Sequence, residues 1–217
     1  MAFPLPPSCD SLLAPKYARQ VVMKPTILTV SGPAFEQWLD PVAALRIQVF
    51  REFPYLYEGS LDYEQHYLQR YLDSPASTLV LALDGDKVVG ASTALPMAAA
   101  DDAFQQPFRA QGFDINRIYY FGESVLLSPY RGLGIGHRFF DAREMAAQTH
   151  GCNLTTFCAV QRPDNHPAKP AAYVPHDGFW TRRGYAPRPD LTCDYHWRDI
   201  GETRETLKPM LFWIKSC

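Results

Sequence analysis

The stretch from Ile118 to Thr149 constrains this chain more than any other. Ile118 to Leu127 is its strongest strand-like run. Gly134 to Thr149 is its strongest helix, with Ile135, Phe139, Ala142 and Ala146 on one face and Gly151 placed to end it. Between them lies Tyr130-Arg131-Gly132-Leu133-Gly134-Ile135-Gly136. The first N–H groups of a helix lack internal partners, and the helix dipole adds partial positive charge there. Glycines at 132, 134 and 136 remove Cβ atoms, so an anion can approach the backbone, and Arg131 adds a cation. Strand, glycine-lined loop and helix start, in that order, suit a phosphate-bearing ligand.

Two commoner glycine-rich readings fail on the residues. A P-loop needs Lys and then Ser or Thr after its last glycine, and here His137 follows Gly136. A dinucleotide fingerprint needs a third glycine where this chain has His137 or Phe139, depending on the starting glycine.

Elsewhere strands and helices are mixed. Thr26 to Val30 reads as a strand, Ala43 to Phe53 and Asp62 to Leu72 as helices. Thr78 to Leu83 and Lys87 to Pro96 form a hairpin around Asp84-Gly85-Asp86. Residues 97–116 read as a loop or insertion. Leu154 to Val160 is a strand, Pro163 to His176 a proline-rich loop, and Phe179 to Arg183 a short helix closed by Gly184. Leu191 to Arg198 and Pro209 to Lys215 read as final strands. Without regular alternation, the expected class is α+β with a largely antiparallel sheet. Residues 1–25 form an irregular arm and 26–217 one domain.

Apolar residues make up 47% and charged residues 20% of the chain, enough for a sizeable core. The net charge of -2 argues against a nucleic-acid partner, which needs a basic surplus. Five cysteines at irregular spacing, without a C-x-x-C pair, suit free thiols in a reducing cytoplasm, and no metal site is expected. The start of the chain has no signal-peptide pattern and no stretch is long enough to span a membrane, so a cytoplasmic protein is expected.

The sequence resembles the GNAT acyltransferase superfamily. Arg131, Gly134 and Gly136 match the R/Q-x-x-G-x-G/A signature, and Phe179-Trp180-Thr181-Arg182-Arg183-Gly184-Tyr185 resembles the aromatic helix that ends in Gly-aromatic. The order of elements from Thr26 to Lys215 is similar too. The resemblance implies helices flanking a mixed sheet that splays at the cofactor-binding strand. It implies acetyl-CoA or another acyl-CoA as co-substrate, with no metal. Main-chain groups of Val125, Leu126 and Leu127 would meet pantetheine, Arg131, Gly132, Leu133, Gly134, Ile135 and Gly136 would hold the pyrophosphate, and Arg182 or Arg183 the 3′-phosphate.

Transfer of an acyl group to an amine needs a proton acceptor and a proton for the leaving thiolate. Glu123 is the expected base, because it shares strand parity with Phe121, Val125 and Leu127 on an otherwise apolar strand. The family's usual tyrosine acid is replaced by Trp180, which cannot donate a proton in acid catalysis. Tyr173 and Tyr185 are the nearby substitutes. By resemblance, Phe50 to Tyr71 covers the acceptor site, and its tyrosines interleaved with Glu52, Glu58, Asp62 and Glu64 suit a cationic amine. Core packing is the competing role for Tyr63, Tyr67 and Tyr71. Three functions compete: an N-acetyltransferase acting on a small molecule or peptide, a non-catalytic acyl-CoA-binding sensor or subunit, and a longer-chain N-acyl synthase with Ala98 to Phe113 lining the acyl pocket. The C-terminal strand around Phe212 and Trp213 is a candidate for pairing with a second subunit in a homodimer.

Overall fold

The computed structural model describes residues 24–217, so almost all of the expected N-terminal arm and Cys9 lie outside the described residues. Among these residues, seven strands form one sheet in the order β1-β2-β3-β4-β5-β7-β6. They are β1 (Thr26–Val30), β2 (Thr78–Asp84), β3 (Lys87–Pro96), β4 (Ile118–Leu126), β5 (Leu154–Val160), β6 (Ala186–Trp197) and β7 (Thr206–Ser216). Every neighbouring pair is antiparallel except β4–β5.

Helices α1 (Leu39–Phe50), α2 (Leu61–Asp73), α3 (Asp102–Ala110), α4 (Ile135–Thr149) and α5 (Asp177–Arg182) cover the sheet on both faces. This explains why β2 is apolar at consecutive positions. Leu79 and Leu81 join the core with α1 and α2, while Val80 and Ala82 pack with Ile135 and Phe139 of α4. No helix among the described residues is long and apolar enough to cross a membrane.

The parallel pairing that shapes the site is short. β4 meets β5 only from Ile118–Leu154 to Tyr120–Thr156, and beyond that the strands part. On its other edge β4 carries a bulge. Ser92 opposes Ser124 and Ala94 opposes Phe121, so Thr93 alone faces Gly122 and Glu123. Gly122 is required there: a Cβ would run into the Tyr71 hydroxyl and approach Thr93 Oγ1 to 2.6 Å.

Three expectations need correction. Residues 97–116 are not a plain loop, because they contain α3. Its cap is Asp101, whose side chain accepts from Ala103 N–H at 3.1 Å, and its anchors are buried Phe104 and Phe108. Pro107 within so short a helix hid it. The final antiparallel strand β7 lies between β5 and β6 with Phe212 and Trp213 buried, so it has no free edge for a second subunit. β6 begins at Ala186, earlier than expected, because Pro187 and Pro189 are tolerated on an edge strand with irregular register.

Candidate active site

Where β4 and β5 part, a cleft of about 770 Å³ opens. Phe121, Ser124 and Leu126 wall it on one side, Phe157 to Val160 on the other. Phe139 and Phe140 of α4 and Phe179 and Trp180 of α5 close its flank. At the mouth stands the glycine loop. Gly132 and Gly134 have φ of 77° and 78°, a left-handed region that favours glycine. Gly134 caps α4 without any side-chain hydrogen bond, which leaves the first N–H groups of that helix free for an anion. Ile135 is buried beneath the loop against β2 and β3, Leu133 is exposed, and Gly136 lines the cleft.

Arg131 is engaged rather than free. Its Nη1 and Nη2 donate to the two carboxylate oxygens of Glu52 at 2.8 and 2.9 Å, and its Nε donates to the Leu126 carbonyl at 3.0 Å. Both partners of the ion pair are partly exposed, so it is a weak tether. The strand's main-chain groups are sorted by direction. Leu127 N–H donates to the Val89 carbonyl at 2.9 Å and so faces β3. Alternation turns Val125 the same way and leaves Ser124 and Leu126 facing the cleft. Leu126 therefore turns its main-chain groups to the cleft, whereas the N–H groups of Val125 and Leu127 point away from it.

Glu123 occupies the junction between this cleft and a second, smaller chamber of about 80 Å³. Phe50, Tyr55, Gly122, Glu123 and Cys158 line both. The Glu123 side chain is buried, and Arg46 Nη1 lies 2.5 Å from its Oε2, a charge contact without hydrogen-bond alignment; Oε1 has no partner. Arg46 Nε also donates to Oε2 of Glu64, which is fully buried and whose Oε1 is unpartnered. Burial works against the Arg46 charge, but Glu123 and then Glu64 outweigh it and hold the guanidinium above its usual range. Its plane lies over the Tyr67 and Phe50 rings at 4.3 and 5.0 Å.

A second buried arginine, Arg143 of α4, clamps the bulge from behind. Its Nη1 donates to the carbonyls of Glu123 at 3.2 Å and Thr93 at 3.4 Å, and its Nη2 donates to Ser124 Oγ at 3.0 Å. Burial pulls this guanidinium down to about 10, so it stays charged at neutral pH. The rings of Phe121 and Phe140 flank it at 4.2 and 4.8 Å.

The two candidate acids part company. Tyr173 lines the cleft, edge-on to Phe53 at 4.7 Å, and burial followed by Asp177 pushes its phenol up. Tyr185 does not line the cleft. It is buried behind Phe140 and Phe157, hydrogen-bonded to Thr155 at 3.0 Å and Glu144 at 3.2 Å, which leaves it no route to a reacting atom. Arg183 is tied to Asp141 and Glu144 at 2.6 and 2.8 Å, whereas exposed Arg182 has no ion pair among the described residues. Trp180 packs against Phe157 and Trp213 in the cleft wall.

Arg46, Gly122, Arg143 and His176 were not singled out by the sequence, whereas Glu64 was named among the carboxylates over the acceptor site. Arg46 and Arg143 do carry a signal, since each is a charge inside the apolar face of its helix. Glu64 holds the buried position on α2 next to Tyr63, which is instead exposed, while Tyr67 and Tyr71 are core residues. His176 lines the cleft, and burial, then Arg131, pulls its imidazole below the ordinary range. Among the described residues no group of three or more His, Cys, Asp or Glu side chains stands in metal-binding geometry.

A splayed parallel strand pair beside an uncapped, glycine-lined helix start defines the class of acyl-CoA-binding transferase folds. The chain belongs to the acetyltransferase (GNAT) family, whose family model matches residues 43–173. That family uses acetyl-CoA as co-substrate. Solved structures agree on the fold. A ribosomal-protein-alanine N-acetyltransferase from Brucella melitensis is similar at TM-score 0.57 and 14% identity, over 88% of this chain and 99% of its own. A Drosophila melanogaster polyamine N-acetyltransferase is similar at TM-score 0.56 and 11% identity, over 88% and 100% of the two chains. An N-acetyltransferase from Staphylococcus aureus gives TM-score 0.56 at 9% identity, covering 88% and 98%. Likeness this remote in sequence speaks to fold alone. No curated protein sequence matches the chain.

Proposed function

We propose that the protein is an N-acetyltransferase that moves an acetyl group from acetyl-CoA to a primary amine by direct transfer. The observation that carries this reading is the position of Glu123, buried where the large cleft and the small chamber meet. The wide cleft suits the pantetheine arm and the chamber suits the acceptor, and among the described residues Glu123 is the only carboxylate lining both. The uncapped α4 start with Gly132, Gly134 and Gly136 would hold the pyrophosphate, and Ser124 and Leu126 would offer main-chain groups to the pantetheine arm. Arg182, unpaired on α5, would meet the 3′-phosphate.

When bound, acetyl-CoA supplies an activated thioester carbonyl. Glu123 takes a proton from the entering ammonium, which frees the nitrogen lone pair. The new C–N bond forms as the C–S bond breaks, the second nitrogen proton is lost, and the thiolate leaves as the thiol. Over the turnover, ammonium and thioester give amide, thiol and one released proton. Tyr173 lines the cleft and would be the group to protonate the thiolate. Arg46 anchors the Glu123 carboxylate within the chamber wall.

The test is thiol release from acetyl-CoA with a pool of primary amines. Glu123→Gln should lower kcat by about 10²- to 10⁴-fold, the span general-base catalysis contributes, while acetyl-CoA still binds. Unchanged turnover in this variant removes Glu123 from the reaction. Thiol release by no amine, with acetyl-CoA still bound, favours a sensor or subunit instead.

A further inference from the structure

We infer that the acceptor chamber is built for a small amine with a single positive charge, and that it excludes polyamines and peptide N-termini. The inference rests on the reading of Glu123 as the amine's proton acceptor. Three independent features of the chamber point the same way.

The first is its roof. The segment joining α1 to α2 and the turn joining β6 to β7 are stitched together by backbone hydrogen bonds. Glu58 N–H donates to the Arg198 carbonyl at 2.8 Å, Ile200 N–H donates to the Leu56 carbonyl at 2.7 Å, and Tyr57 pairs with Asp199 in an antiparallel bridge. Arg162 pins the two together, donating to both Asp199 carboxylate oxygens at 2.7 and 2.9 Å and to the carbonyls of Pro54 and Tyr55 at 2.8 Å. Trp197 Nε1 donates to the same Tyr55 carbonyl at 3.0 Å. These are the strands that supply Tyr55, Tyr57 and Trp197 to the chamber wall. An extended peptide that docks by strand addition needs unpaired main-chain groups. Here those groups already bind one another, so that mode would require unstitching the roof.

The second feature is size. At roughly 10–15 Å³ of accessible space per water-sized group, a chamber of about 80 Å³ takes on the order of six such groups. A short amine of about five carbons suits that space better than a long polyamine.

The third is charge. Among the chamber's lining residues the charged groups are Arg46, Glu64 and Glu123, which leave one negative charge in excess. Glu64 Oε1 and Glu123 Oε1 are buried without a hydrogen-bond partner, and Tyr57, Tyr63 and Tyr67 line the same chamber, so the uncompensated charge and the rings would favour one ammonium. The other lining residues, Phe104, Tyr120, Trp197 and Met210 among them, carry no carboxylate. A second ammonium there would be a buried charge without a partner, which is strongly disfavoured.

The test compares three acceptors with the full chain and acetyl-CoA, following thiol release and acylated product: pentylamine, cadaverine with its second ammonium at the far end, and a short peptide with a free N-terminus. Pentylamine should exceed both others in kcat/KM by at least about tenfold, the discrimination expected when an analogue leaves a buried polar group unpaired. Cadaverine or peptide turned over as well as pentylamine overturns the inference and leaves the transfer reading standing. No thiol release with any amine, despite acetyl-CoA binding, sinks the transfer reading itself. Glu64→Gln adds a readout that a merely structural role would not move. It should raise KM for pentylamine by about tenfold and change kcat by less than about twofold, since the excess charge acts on ammonium binding. A parallel fall of kcat for every acceptor, with KM unchanged, speaks against the charge argument.

Discussion

The Arg46–Glu64–Glu123 cluster offers the sharpest test of how the site is held. Replacing Arg46 by Met keeps much of the side-chain volume but leaves two carboxylates buried without a cation. The side chains are 7%, 0% and 3% exposed, so water cannot replace the lost partner. Breaking a buried pair from one side costs about 3–5 kcal/mol, most of it the penalty on the charge left behind. The lost contacts with the Tyr67 and Phe50 rings act in the same direction. With a urea m-value of about 2 kcal/mol per molar, a loss of about 4 kcal/mol moves the unfolding midpoint down by about 2 M. The assay is urea unfolding followed by circular dichroism, and it includes the combined Arg46→Met, Glu64→Gln and Glu123→Gln protein. Removing both charges along with Arg46 should recover at least about half of the loss, because neutral groups of the same shape carry a smaller burial penalty. The reasoning fails if Arg46→Met alone costs less than about 1 kcal/mol, or if the combined variant is no more stable than the single one.

Three further outcomes follow from the geometry. Gly122→Ala should destabilise the protein by about 1–3 kcal/mol, because the new methyl collides with the buried Tyr71 hydroxyl. Tyr71→Phe in the same protein should return part of that loss in urea unfolding, and an equal loss in both backgrounds counts against the collision. Gly134→Glu should abolish acetyl-CoA binding in calorimetry, since φ of 78° strains the new residue and its carboxylate enters the phosphate cradle; binding at the original affinity would move the pyrophosphate elsewhere. His176 is held below its unfolded value of 6.5 by its surroundings and by Arg131, so the folded chain binds fewer protons there than the unfolded chain. Its contribution is present above pH of about 6.5 and is lost as pH falls through the lower folded value. The effect is small because the ring opens to solvent, and His176→Gln should flatten this part of the stability–pH curve.

How much of this was legible in the sequence depended on whether the signal was local. The glycine loop, the hairpin β2–β3 and the helix α4 are written in contiguous residues whose turn chemistry and periodicity agree, and they were placed within a residue or so. α3 was missed because Pro107 inside so short a helix argues against one, although Phe104 and Phe108 stand at helical spacing, and its packing against Phe212 and Tyr195 is long-range. The site divides in the same way. Glu123 stood out as a lone acid on an apolar strand, but its partner Arg46 is 77 positions earlier by the numbering and meets it only through the packing of α1 on β4. Tyr173 and Tyr185 were equivalent by proximity in sequence. The fold separates them, because one sits on the loop that faces the cleft and the other at the start of a strand behind the aromatic wall.

The bulge at Gly122–Glu123 joins these observations into one device. An antiparallel β4 paired regularly with β3 would keep its pleat in step, and Glu123 would take its turn on one face of the sheet. The extra residue opposite Thr93 breaks that step and increases the local twist. It falls just after Tyr120, the last β4 residue paired with β5, so the strand turns away from β5 where the cleft begins. The same defect frees the Glu123 carbonyl from regular pairing, and Arg143 and Ser92 capture it at 3.2 and 2.8 Å. Its side chain is thereby fixed toward Arg46 and the chamber proposed to take the acceptor amine. Opening the cleft and aiming the Glu123 carboxylate are therefore one structural event. A bulky side chain at position 122 would disturb both, and this ties the smallest residue of the strand to the chemistry of its neighbour.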